Sequence, residues 1–165
     1  MRRPVIRFFV PGILTLPGES GNWTGKAVTW THLHTSDRAE KVEYFSGILT
    51  RTLLQRMRAQ KMAHALSHYL TAGFEIHIAC HSNGTDVVLD ALRLAKWPRI
   101  ASLHLLSAAC SADCHKNGLN EAWTFDALGK VTVWIAEKDW ALGLASTHIG
   151  WALGFGTLGR SGPQN

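Results

Sequence analysis

Ser82 stands in the run Cys80-His81-Ser82-Asn83-Gly84, after the short apolar stretch Glu75–Cys80 and before an amphipathic stretch from Asn83 to Lys96. A strand that turns straight into a helix must reverse sharply. A residue at that tip is held out above the sheet edge in a strained conformation. Small residues two positions to either side let the helix pack against the strand. The first turn of the helix aims backbone N–H groups, and the positive end of its dipole, at the same point. These are the needs of a serine nucleophile in acyl transfer. The plainer alternative is that Ser82 caps the following helix, as serines often do.

The rest of the chain supplies elements to hold such a turn. Val5–Val10 (VIRFFV) reads as a buried strand closed by Pro11-Gly12. Leu14 to Gly21 is a loop rich in Pro, Gly and Ser. Asn22 can cap a short helix through about Thr31, with Trp23, Ala27 and Trp30 on one face. Lys41–Phe45 (KVEYF) alternates as a second strand, with a helical reading left open. A long helix follows from about Gly47 to Leu70. Leu49, Leu53, Leu54, Met57, Leu66 and Leu70 form its apolar face, while Arg51, Arg56, Arg58 and Lys61 lie mainly outside. Gly73 is its C-cap.

Glu75–Cys80 is a third strand, and the helix Asn83–Lys96 stops at Trp97-Pro98. Ile100–Ala108 is a fourth strand, Leu119–Leu128 a helix, Val131–Ala136 (VTVWIA) a fifth strand, and Ala141 to about Leu153 a final helix. Residues 154–165 read as an irregular Gly-rich tail. Strands alternating with helices predict an α/β fold in a single domain over residues 1–165. It is a three-layer sandwich whose mostly parallel sheet is covered on both faces. In such sheets ligands bind beyond the carboxyl ends of the strands, which is where Ser82 lies.

The turn, with its strand and helix, resembles the nucleophile elbow of the α/β-hydrolase superfamily, with Cys80 where glycine is usual. The order of elements resembles that family's central portion from Val5 to about Leu153. The resemblance implies a serine hydrolase that cleaves an ester or related acyl bond through an acyl-enzyme on Ser82. It implies a small-molecule acyl substrate and no metal or organic cofactor. It also implies two oxyanion donors, one in the loop after an early strand and one on the residue after the nucleophile. Carried over, these are the backbone N–H of Ile13 (of Gly12 or Leu14 if the register slips) and that of Asn83.

The strand and acid at Val131–Asp139 resemble the family's acid position, so Asp139 would orient a histidine. Glu137 is its near neighbour, and Asp113 after the preceding strand is the other location. The plainer role for Asp139 is to cap the helix from Ala141. The family order is Ser, acid, His, and His148 is the one histidine after Asp139. His148 is therefore the candidate base. The usual histidine follows a further strand, and no strand is legible after Asp139. His81 adjoins the serine, but neighbouring side chains on such a turn point apart. His77 and His104 lie in strands and read as core or rim residues. Without a base a serine hydroxyl is a weak nucleophile.

Two other readings stay open. One is a non-catalytic or truncated α/β-hydrolase-like domain that binds or interacts, whose open apolar sheet edge would favour a homo-oligomer. The other is an unrelated α/β domain that holds an anion at the helix N-terminus after Ser82.

Composition narrows the class. The 165 residues suit one domain, and 46% hydrophobic residues supply a core. Seventeen basic against 12 acidic residues, with no run of like charge, predict a solvated basic face and no nucleic-acid groove. Three sparse cysteines, Cys80, Cys110 and Cys114, argue against a disulfide framework and for a reducing, cytoplasmic compartment. The start is basic and then apolar, but Arg7 and Pro11 interrupt it and no small-residue cleavage site follows. It reads as a strand and not as a signal peptide. No apolar stretch is long enough to span a membrane.

Ser20–Ala27 (SGNWTGKA) is no phosphate loop. The first glycine is missing at the required spacing, and Ala27 stands where Ser or Thr must hold magnesium. Cys110, Cys114 and His115 lack metal-knuckle spacing and a fourth ligand. Trp23 and Trp140 read as pocket lining or as plain packing.

Overall fold

The computed structural model describes residues 3–12, 23–42, 51–137 and 156–164. Five strands are β1 (Val5–Val10), β2 (Arg38–Lys41), β3 (Glu75–His81), β4 (Ser102–Leu106) and β5 (Val131–Trp134). They form one sheet in the order β2-β1-β3-β4-β5, and all four pairings are parallel. The helices are α1 (Trp23–His34), α2 (Arg51–Thr71), α3 (Gly84–Leu94), α4 (Cys114–Asn117) and α5 (Leu119–Thr124). A helical turn follows at Leu158–Ser161. This is the expected three-layer α/β architecture. Among the described residues no helix is long and apolar enough to cross a membrane.

The two faces of the sheet differ. VIRFFV is β-branched and aromatic, which suits a strand, and alternate residues of it are buried. Ile6, Phe8, Ile76, Ile78, Leu103 and Leu105 are sealed on one face with Met62 and Leu66 of α2 and Val88 and Leu92 of α3. Phe8 meets the ring of Tyr69 edge-on at 5.6 Å. The opposite face carries Arg7, Phe9, His77, Ala79 and His104, all half-buried. Here α1 covers β1, with Trp23 edge-on to Phe9 at 6.0 Å.

From β1 the chain turns to one side for β2, and from β3 it turns to the other side for β4. The crevice between the carboxyl ends of β1 and β3 is therefore a switch point, where doubly wound sheets bind ligands. Those ends are Val10-Pro11-Gly12 and His81-Ser82.

Several local expectations need correction. The second strand is Arg38–Lys41 and not Lys41–Phe45, and residues 43–50 lie outside the described residues. It is an edge strand of mostly charged residues with only Ala39 buried, so hydrophobic alternation does not reveal it. In α2 the buried stripe runs through Ala59, Met62, Leu66 and Tyr69, at helical spacing. Arg58, expected outside, is buried, and Met57, expected inside, is 60% exposed. The helix expected over Leu119–Leu128 is α5, which starts there but ends at Thr124, and the short α4 precedes it across Gly118 at φ 88°. Gly73 after α2 has the left-handed φ of 79° expected of a C-cap.

Asn22 and the helix expected from Ala141 fall outside the described residues. Residues 156–164, expected as irregular tail, hold one helical turn and run beside the segment after β4. The N–H groups of Gly156, Gly159 and Gln164 donate to the carbonyls of Ala109, Ala108 and Ala112. Leu158 of that turn is fully buried.

Candidate active site

Ser82 follows β3 directly and precedes α3 by one residue. Its φ is 51°, in the left-handed region that costs a non-glycine residue on the order of 1–3 kcal/mol. Three hydrogen bonds hold that conformation. Its N–H donates to the Leu106 carbonyl at 3.0 Å, and its own carbonyl accepts from Thr85 N–H at 3.1 Å and Ala109 N–H at 3.2 Å. Its hydroxyl makes no hydrogen bond among the described residues. The capping role is thus not the one it plays: Asn83 is the N-cap residue, and no side chain caps the helix. All the polar backbone of Ser82 is committed while its side chain is left to act.

Two glycines make the turn and its neighbour fit. A methyl group on Gly84 would lie 2.5 Å from the Pro11 carbonyl oxygen and 2.9 Å from that of Val10. Glycine at this position lets the first turn of α3 press on the end of β1. A methyl on Gly12 would lie 2.8 Å from Ser82 Cβ and 2.9 Å from His81 Nδ1. The loop after β1 therefore lies directly against the serine. Cys80, in the small-residue position on the strand side, is fully buried. Its Sγ lies 3.8 Å from Thr85 Oγ1 and 3.6 Å from the His104 carbonyl oxygen. Burial pushes its thiol up to about 12, and the nearby Asp86 charge adds to the rise. Cys80 is a packing residue and no second nucleophile.

Asn83 is fully buried, with helical backbone angles, so its N–H is among the donors at the amino end of α3 beside Ser82. Thr85 and Gly84 are buried with it. Ile13, the expected partner donor, lies outside the described residues, as do Asp139, His148 and Trp140. Of the proposed oxyanion loop, Gly12 and Asn83 are brought together around Ser82. Trp23 packs edge-on to His81, with ring centres 6.5 Å apart, and so lines the strand-end face. His81 itself is half-buried between Trp23 and Gly12.

The alternative acids have other settings. Asp113 caps α4, accepting from the N–H groups of His115 at 3.0 Å and Lys116 at 3.4 Å. Its carboxyl lies below the usual carboxylate range: desolvation works upward, and these two donors and the Lys116 charge outweigh it. Glu137 is exposed. His77 bonds Ser102 Oγ at 2.7 Å and Glu75 at 3.0 Å, on the sheet face and not at the strand tip. Among the described residues no group of three or more His, Cys, Asp or Glu side chains could hold a metal ion. Ala109 escaped the sequence reading, since nothing in its type marks it as the residue that clamps the Ser82 carbonyl.

No protein-family model, curated protein or solved structure matches the chain. The five-stranded parallel sheet is compatible with an α/β-hydrolase-like fold, and the fold class rests on that topology.

Proposed function

We propose that the protein is a serine hydrolase of the α/β-hydrolase type that cleaves an ester or related acyl bond of a small molecule. The observation that carries this reading is Ser82, with strained φ, fully bonded backbone and unbonded hydroxyl, at the head of α3 and against Gly12. Ser82 Oγ attacks the acyl carbon and its proton passes to a base. The tetrahedral oxyanion is held by the N–H of Asn83 and one from the Gly12–Ile13 loop. Collapse expels the alcohol, which takes the proton, and leaves an acyl-enzyme that water then hydrolyses. His148 as the base and Asp139 as its orienting acid belong to the same proposal. So does a cytoplasmic location, which sparse thiols support.

Exposed Trp134, at the end of β5, and Ile135 next to it favour a second reading, since β5 is the outermost of the described strands: a non-catalytic interaction domain. Fluorophosphonate labelling with intact-mass readout separates the two. The hydrolase reading expects one adduct on wild type, none on Ser82→Ala, and slow or no labelling of His148→Ala. A wild type that stays unlabelled overturns it.

A further inference from the structure

A cavity of about 550 Å³ lies between α1 and the half-buried face of the sheet, and its lining includes neither Ser82 nor Gly12. That volume is in the range of small-molecule pockets. Its floor is set by strand register, which places Arg7 beside His77 and Ala79 beside His104. The small side chains of Ala79 and of Ala27 leave the space, and Phe9 and Trp30 wall it. Trp30 is 60% exposed, so the wall it forms borders solvent.

The basic groups of this cavity differ in how they are partnered. Arg7, His77 and His104 border it. Asp37 holds Arg7 at 2.7 Å, and Glu75 holds one nitrogen of His77 while Ser102 meets the other. The imidazole of His104 has no hydrogen-bond partner among the described residues. It is a half-buried polar group at the edge of a largely apolar space, bonded by no described residue.

We propose that this cavity is a binding site for a small organic anion, with an aromatic or alkyl body between Phe9 and Trp30 over Ala79 and an acidic head on His104. The site is independent of the chemistry proposed for Ser82. Burial, then the charges of Lys130, His77 and Arg7, hold the His104 pKa below its ordinary 6.5. The other charged groups of the surroundings are Glu75 and Asp37, each already paired. A carboxylate bound beside His104 favours the imidazolium. Binding therefore takes up a proton and tightens as pH falls through the higher pKa of the bound imidazole.

The test is calorimetric titration of the full chain with 2-naphthoate and with neutral 2-naphthol. Naphthoate is expected to bind saturably and about tenfold more tightly than naphthol at pH about 5.5, with that advantage shrinking at pH about 7.5. Ala79→Leu fills the floor and should abolish binding. His104→Leu should make the acid and the alcohol equal. Ser82→Ala should bind as wild type does. Trp30→Ala, at an exposed position, should weaken naphthoate even if Ala79→Leu does not fold. Absence of saturable naphthoate binding, or binding indifferent to His104→Leu and Trp30→Ala, overturns the proposal.

Discussion

Ser82 and Ser107 end neighbouring strands in nearly the same way. Both hold positive φ, 51° and 42°. Each donates its N–H to the next strand over, to Leu106 at 3.0 Å and to Trp134 at 3.2 Å. Neither hydroxyl is hydrogen-bonded among the described residues. The difference stands two residues later. After Ser82 comes Gly84, pressed on the carbonyls of Pro11 and Val10 and opening an 11-residue helix. After Ser107 comes Ala109, in a segment whose carbonyls accept from residues 156–164. Backbone strain by itself therefore marks no nucleophile. A glycine lies close in both cases, since a methyl on Gly159 would lie 2.5 Å from Ser107 Cα. The helix N-terminus that opens at Gly84, and that the residues just after Ser107 do not build, makes the distinction.

The largest expected effect breaks the comparison outright. Ser82→Ala should lower fluorophosphonate labelling by about 10³-fold or more, while Ser107→Ala should leave it within about twofold. Reversed results would move the site to β4. The next effect lies in the packing. Gly84→Ala sets a methyl against two backbone carbonyls that cannot yield cheaply, and should cost about 2–4 kcal/mol in urea denaturation. Ala109→Gly, its counterpart, should cost only about 1 kcal/mol. Equal costs would mean that α3 is not pressed on β1.

Gly12→Ala sets a methyl 2.8 Å from Ser82 Cβ, which cannot turn away, so the loop itself must shift. It should lose about 1 kcal/mol of stability yet slow labelling by about tenfold or more, because the loop leaves the serine. A labelling rate unchanged in that variant would remove the loop from the oxyanion site. The smallest effect concerns strain. Ser82→Gly and Ser107→Gly should each gain up to about 1 kcal/mol, read as a rise in the thermal midpoint. A gain at one site alone would show that only that turn stores strain.

The strand–serine–helix turn and the alternation of strands and helices were legible in the sequence. Both are written in near neighbours: the apolar run before Cys80, the small residues around Ser82, the helical spacing after Asn83. Features that distant segments decide were not legible there. β2 is a polar edge strand whose pairing with β1 defines it. Met57 and Arg58 exchange their expected environments because the packing of α2 on the sheet and α3 sets the stripe. His77 and His104 were core or rim by pattern, and only strand register shows that they border one cavity.

By itself, then, the sequence determined the α/β class and the residue that a strained turn would present, since periodicity and turn chemistry act over a few residues. Tertiary structure alone decided that Gly12 lies on Ser82, that Ala109 clamps its carbonyl, and that one sheet face is sealed while the other holds a cavity bordered by Arg7, His77 and His104. Those facts depend on the order β2-β1-β3-β4-β5, which brings segments far apart in the chain into contact and which no local pattern encodes.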